Sequence, residues 1–420
     1  MRSVTAIIAA ALALGASSAL AQPVAIVGAR VHTVSGGVLE NGTVIIDNGK
    51  ITAVGSGVKA PAGARLIQGR GKWVTPGLIN SATALGVIEI GGIAETNDGS
   101  ARGERGVAAT FQVWDGLNPD SVLWAPARNE GVTSVVALPS GGVVSGQAAL
   151  LDTAGPTVEE FIRKSPVAYV LNYGAASGGD GPSARGEALQ AIRSLLADAR
   201  AWPTRRDTYE RGASRPLAAS HAQLEALQPV VTGQALVLVN VDRSSDILAV
   251  LELARTFGLR VAIVGGAEAW KVAPQLAAAK VPVLTGALDN LPSDFATLGA
   301  RQENAALLRT AGVAVVLTAG TRETFNVRKI RQHAGNAVAY GLPWDEALRA
   351  VTLAPAQVFG VAESVGAIAE GMAANLVVWS GDPFEFSTDA EHVFVRGREV
   401  QAPSRQDELA ERYKTGTRGK

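Results

Sequence analysis

The sequence predicts an α/β fold, a (β/α)8 TIM-type barrel inserted into a small composite β-sandwich that both chain ends build. Eight apolar runs with strand character recur through the middle of the chain: Leu78–Ala82, Val132–Leu138, Ala148–Leu151, Val167–Leu171, Ala235–Val239, Val261–Val264, Val281–Leu284 and Val313–Leu317. They lack the alternation of a half-exposed strand, which suits a parallel sheet buried on both faces. Helix-like segments such as Asp246–Phe257 and Pro343–Leu353 lie between them, the spacing of a β/α barrel. The chain ends read instead as short strands and turns, and 420 residues suffice for one large barrel plus a lesser domain. An open doubly wound sheet is the rival architecture, disfavoured because no glycine-rich phosphate fingerprint follows the first strand.

Taken in order, residues 1–21 read as a secretory signal. Arg2 gives a positive start, Ala6–Leu20 is almost wholly small and apolar, and Ala19-Leu20-Ala21 is a small-x-small cleavage site. The expectation is an exported, periplasmic chain cut near Ala21, with no membrane span in the mature protein. The chain has no cysteine, which excludes disulfides, thiolate metal sites and cysteine nucleophiles. Lys+Arg and Asp+Glu both number 38, so overall charge gives no case for a nucleic-acid partner.

Strands are expected at Ala25–Thr33, Gly42–Asp47 and Lys50–Gly55. Asn48-Gly49 between the last two is a strong hairpin signal, because both residues tolerate positive φ. Such a half-sheet needs partners, and the far end supplies them at Ala374–Trp379 and His392–Arg396. The expected division is 22–75 with 365–402 for the sandwich, 76–364 for the barrel and 403–420 for a polar tail. Gly178–Ala219, with Arg205, Arg206 and Arg211, reads as a helical excursion with a surface loop; a phosphate-binding patch is the alternative.

Several motifs resemble the amidohydrolase superfamily, and within it the exported imidazolonepropionase-like group. They are Asn41–Gly55, the doorway Val74-Thr-Pro-Gly-Leu-Ile-Asn80, Thr352-Leu-Ala-Pro-Ala356, Gly366–Gly371 and Ala374–Trp379 with Asp382-Pro383. The resemblance implies a barrel carrying a metal that activates water to hydrolyse non-peptide C–N bonds. It also implies ligand positions: a His-x-His pair after the first strand, single His residues after the fifth and sixth, and an Asp after the eighth. Here those positions hold Ala82 and Ala84, Asn240, Gly265, and Ala319 or Gly320. His32, His221, His333 and His392 occupy no strand's C-terminal end and read as surface or locally bonded residues.

Other polar residues follow the strands. Asn172, Asn240, Asp242 and Arg243 follow the fourth and fifth, Asp289 and Asn290 the seventh, and Thr318, Thr321, Arg322 and Glu323 the eighth. Asp242 and Asp289 are the candidate catalytic carboxylates, for acid–base work or for a hard cation such as Mg²⁺ or Ca²⁺. Asn172, Asn240, Arg243, Thr321 and Arg322 are the candidate substrate-binding residues. All are also ordinary helix caps and loop residues. Glu89 and Glu95 lie in a loop that could cover the mouth, and Asp152 ends the third strand with no assigned role.

The favoured expectation is a non-catalytic protein that needs no cofactor. It would act as partner subunit to an active paralogue, as a homo-oligomer, or as a binder of small amide-like molecules. The alternative is an active C–N hydrolase using carboxylates or an atypical metal site.

Overall fold

The computed structural model describes residues 22–173, 184–212, 215–288, 291–320, 324–400, 403 and 405–415. The expected signal at 1–21 lies outside them, as do Asp289, Asn290, Thr321, Arg322 and Glu323.

The N-terminal part forms β1 (Val24–His32), β2 (Val38–Asp47), β3 (Lys50–Gly55), β4 (Arg65–Gln68) and β5 (Trp73–Pro76). Asn48 and Gly49 take φ of 48° and 80°, and Asp47 faces Lys50 across the hairpin that the Asn-Gly pair predicts. The barrel strands are β6 (Leu78–Thr83), β7 (Val132–Ala137), β8 (Val144–Asp152), β9 (Ile162–Asn172), β10 (Leu236–Val241), β11 (Arg260–Gly265), β12 (Val283–Thr285) and β13 (Val315–Leu317). The far end returns as β14 (Leu376–Trp379), β15 (Ala390–Val395) and β16 (Arg398–Glu399).

Both chain ends share one sheet, in the order β16-β15-β14-β5-β1-β2-β3 with β4 beside β1. Its junction is β5 against β14, where Trp73 faces Trp379 and Pro76 faces Leu376. Trp379 Nε1–H donates to Thr75 Oγ1 at 2.9 Å, so the buried indole is satisfied inside the junction. Strands β4, β5 and β16 are too short to stand out in the sequence.

All eight apolar runs of the middle region lie in a second sheet, ordered β13-β12-β11-β10-β9-β8-β7-β6 and nearly closed on itself. Ile79, Val136, Leu150, Val170, Leu238, Val264, Leu284 and Val316 point inward to one core cluster. Their sequence neighbours, among them Val135, Val239, Ile263, Val283 and Leu317, point outward to a cluster shared with the helices. Burial on both faces therefore explains the unbroken apolar runs. Phe359 and Val365 join the inner cluster, and the Phe359 carbonyl accepts from Lys164 Nζ at 3.0 Å near the start of β9. That end of the barrel is plugged, and the opposite end forms the mouth.

One expectation needs correction. The third strand, β8, runs antiparallel to both β7 and β9, so the eight strands are not eight regular β/α units. Residues 138–143 alone link β7 to β8, far short of a parallel crossover. Asp152, at the end of β8, consequently lies at the plugged end. It is fully buried and accepts from Arg163 (Nε 3.0 Å, Nη2 2.8 Å), Arg396 Nε (2.6 Å), Ser134 Oγ (2.9 Å) and Asn375 Nδ2 (3.1 Å). Arg396 and Asn375 flank strands of the other sheet, so one carboxylate ties the barrel floor to the end-built sheet.

Three further segments take definite form. Pro343–Leu353 divides into helices Trp344–Ala350 and Leu353–Val358, and the polar tail carries an exposed helix, Arg405–Thr415. The Gly178–Ala219 excursion contains the 26-residue helix Arg185–Glu210, anchored by buried Ile192, Leu195 and Trp202. Its Arg206 pairs with Glu210 on the same helix, and Arg211 Nε donates to the Asp207 carbonyl.

Candidate functional site

The mouth is formed where the parallel barrel strands end. Ala82 sits in β6 and packs with the inner cluster, and Ala84 lies just past the strand. Asn240 follows Leu236 and Leu238 on the inward face of β10. Gly265 ends β11, and Ala319 and Gly320 follow β13. Every position to which the resemblance assigns a metal ligand thus stands at a strand's C-terminal end, and the side chains there are methyls, an amide or hydrogen.

Two asparagine contacts organise this end of the barrel. Asn80, fully buried in β6, donates from Nδ2 to the Ala319 carbonyl at 2.7 Å and accepts from the Ala319 N–H at 3.3 Å. It thereby bridges β6 and β13, the two ends of the barrel sheet. Asn172 and Asn240 are register partners on β9 and β10, and Asn240 Nδ2 donates to Asn172 Oδ1 at 2.6 Å. Asn172 Nδ2 donates in turn to the Gly142 carbonyl (2.7 Å) and Ser145 Oγ (2.9 Å).

Asp242 Oδ1 accepts from the Ala267 N–H at 3.2 Å, fastening the loop after β11. A Cβ placed on Gly265 would stand 2.5 Å from that same oxygen, and Gly265 has φ of +92°. Arg243 occupies the position before the helix Ser244–Phe257 without a side-chain capping bond, and is exposed. Thr318 is buried, and its N–H donates to the Thr285 carbonyl at 3.0 Å.

Arg243 also lines a cleft of about 590 Å³ with Ser244, Glu268, Lys271, Phe295 and Leu298. Glu268 was not singled out by the sequence, where it is one acid among many. Burial acts to raise its pKa, but bonds from Lys271 Nζ (2.7 Å) and from the Ser244 N–H (3.1 Å) and hydroxyl (3.0 Å) outweigh it and hold the carboxyl at about 2. A carboxylate so stabilised is a poor base, so this cluster secures the helix start and the Gly299 N–H rather than moving protons.

The histidines lie elsewhere. His32 is buried between Trp73 and Trp344, with both ring centroids at 4.7 Å. His221 begins an exposed helical turn and stacks on Trp202, and His392 Nδ1 meets Glu399 at 2.6 Å. His333 is buried, not at the surface; its Nδ1 accepts from the Ala287 N–H at 3.0 Å in the loop after β12. Of the loop acids, Glu89 accepts from Asn118 Nδ2 at 3.1 Å, and Glu95 is exposed. Asp289 lies outside the described residues, so its pairing with Asp242 has no geometry here.

At the four positions where the resemblance expects histidine ligands, the described residues offer none. Methyls stand at two positions, an engaged amide at a third, and the fourth, Gly265, has no room for a side chain while Asp242 keeps its place. Among the described residues, no three or more His, Asp or Glu side chains gather into a cation-holding group. Also among them, no helix is long and apolar enough to cross a membrane.

Residues 276–400 match the Amidohydrolase family, a stretch running from before β12 through β16. The amidohydrolase tasK of Hapsidospora irregularis is 22% identical over 388 residues, covering 85% of this chain and 39% of that protein. The chain therefore spans about two fifths of the length of the curated relative it matches. The crystal structure of an amidohydrolase from Thermotoga maritima superposes with a TM-score of 0.81 at 26% identity, over 90% of this chain and 99% of that one. A prolidase complexed with N-methylphosphonate-L-proline shares the fold, with a TM-score of 0.54 at 18% identity over 91% of this chain and all of that one (100%).

Proposed function

We propose that this chain is an amidohydrolase-type barrel whose mouth binds a small molecule without metal-dependent hydrolysis. The observation that carries the reading is Gly265. Its positive φ would strain any side chain at the sixth-strand position, and a Cβ there would have to displace the Asp242 carboxylate, which supports a position built for glycine beside strand ends that carry Ala82, Ala84, Asn240 and Ala319. In this reading the protein is exported, cleaved near Ala21 and periplasmic, and needs no cofactor. Residues 22–75 and 365–402 form a composite sandwich around a barrel of 76–364, with 403–420 as a tail. The scaffold motifs resemble those of the imidazolonepropionase-like group, and a paralogue with intact histidines, or a second copy, is the protein partner this reading calls for.

The test is metal analysis of the exported protein after dialysis, alongside turnover assays on lactams, hydantoins and acyl amides. Sub-stoichiometric zinc, iron and manganese with no turnover is the expected result; one equivalent of retained metal would overturn it.

The similarity to amidohydrolases favours a second reading, hydrolysis of C–N bonds by a carboxylate such as Asp242, with or without Asp289. That activity would persist in chelator and disappear in Asp242→Asn.

A further inference from the structure

The helical layer outside the barrel is thin beside β11. The helix after β10, Ser244–Phe257, has 14 residues, whereas β11 is followed by one 3-10 turn, Ala269–Val272, and a helix of 6 residues, Ala273–Ala278. At about 1.5 Å per residue the first helix runs roughly 21 Å and the second roughly 9 Å. A groove of about 860 Å³ opens between them on the outside of the barrel. Leu248, Leu251 and Ala254 of the long helix form one apolar wall, Ala278 lies on the other, and Leu236 and Val261 line the base. The charged residues of the groove are not equivalent. Glu252 and Arg255 neutralise each other through two bonds, from Nε at 3.0 Å and Nη2 at 2.7 Å. Arg260 donates from Nη1 only to the neutral Gln234 carbonyl, at 3.0 Å, and among the described residues no acid pairs with Arg260 or Lys280. Arg260 begins β11 and Lys280 lies just before β12, and these strands run parallel with Ile263 beside Val283. Both cations therefore stand at the plugged end of the barrel, and the leucines of the long helix lead away from them toward the mouth end.

We propose that this groove is a second ligand site, separate from the mouth, and that it takes a free single-chain amphiphile with an anionic head, a medium-chain carboxylate. The head pairs with Lys280 and Arg260, and the chain lies along Leu251 and Leu248. Two observations select this occupant. The groove has the size of a small-ligand site, for which roughly 300–1,000 Å³ is usual. Its cations are confined to one end and its apolar wall runs away from them, the same asymmetry as a head and a chain. A cationic amphiphile would bring like charges together there, and an uncharged one would gain nothing from Lys280 and Arg260. The site uses no residue of the mouth, so it stands apart from the reading given above.

The test titrates decanoate, hexanoate and decyltrimethylammonium into the full chain by calorimetry, each below its micelle concentration. Saturable binding of one decanoate per chain is expected, with decyltrimethylammonium showing none. Decanoate should bind roughly tenfold more tightly than hexanoate, since in an open groove the added methylenes lose only part of their surface to the wall. Lys280→Glu should weaken decanoate about fivefold by reversing a charge at the head. Leu248→Glu should weaken it at least as much, by placing a carboxylate where the chain lies. Leu248 is 41% exposed and Lys280 is exposed, so neither substitution disturbs the core. Sedimentation with phosphatidylglycerol vesicles separates a free amphiphile from a lipid surface, and the chain should remain in the supernatant. The proposal fails if decanoate does not bind, if decyltrimethylammonium binds as tightly, or if either variant holds decanoate as wild type does. It fails equally if the chain sediments with the vesicles and Lys280→Glu releases it, because the cations would then serve a membrane surface.

Discussion

Asn80 holds both backbone groups of Ala319, giving Nδ2 to its carbonyl and Oδ1 to its N–H. The side chain stands in for a strand at a gap in the barrel ladder, because among the described residues β6 and β13 have no ladder pairing with each other. It does so between the two strand ends where the resemblance places a His-x-His pair and an Asp. A polar clasp thus joins elements that a shared metal would otherwise draw together.

Asn80→Ala should therefore cost about 2–4 kcal/mol, because it leaves a buried N–H and a buried carbonyl without partners. Denaturant unfolding measures it. Asn80→Asp should cost more, since a carboxylate would face the Ala319 carbonyl. A loss within a few tenths of a kcal/mol for either variant would show that water or a shifted backbone closes the seam equally well.

The Asp152 hub predicts a second large loss, of about 3–5 kcal/mol for Asp152→Ala, because two arginines would keep their charge beside a buried site that no longer answers it. Arg396→Ala should cost less, since Arg163 still engages both carboxylate oxygens. Because the hub joins the two sheets, limited proteolysis of Asp152→Ala should cut at their junction before the barrel itself is degraded. Uniform digestion would argue against an inter-sheet role.

These two clusters show where the sequence stops being readable. The eight apolar runs and the Asn48-Gly49 hairpin were legible because local pattern alone decides them. The reversal of β8 was not read from its apolar composition, which has no direction; the short link at 138–143 was the available signal. Asn80 sat inside the doorway motif without suggesting a role, since its partner is 239 residues away. The Asn172–Asn240 pair was visible only as two strand-end amides, and the register of β9 against β10 is what makes them one unit.

His32 predicts a pH dependence. Burial, and secondarily the Arg30 charge, lower its pKa from 6.5 to about 4. Between those values the unfolded chain binds the proton and the folded chain does not, so stability rises with pH across the window. The contribution is complete above pH 6.5 and is lost as pH falls through about 4. Subtracting the stability–pH curve of His32→Phe from that of wild type should leave a slope worth on the order of 2 kcal/mol in that window. Phe keeps the stack on Trp73 and Trp344, so parallel curves would mean that the ring protonates without penalty.

Gly265 yields the prediction closest to function. Alanine there must adopt φ near +92° and bring its Cβ to 2.5 Å from Asp242 Oδ1. Strain and overlap together should cost about 2–4 kcal/mol. The two causes separate in a double-mutant cycle, because Asp242→Ala removes the overlap and leaves the backbone strain. Gly265→Ala in that background should be milder than in wild type, yet still unfavourable. If Gly265→Ala is neutral by denaturant unfolding, the sixth-strand position is open to a side chain. The physical ground for excluding a metal ligand there then disappears, and with it the observation on which the non-catalytic reading rests.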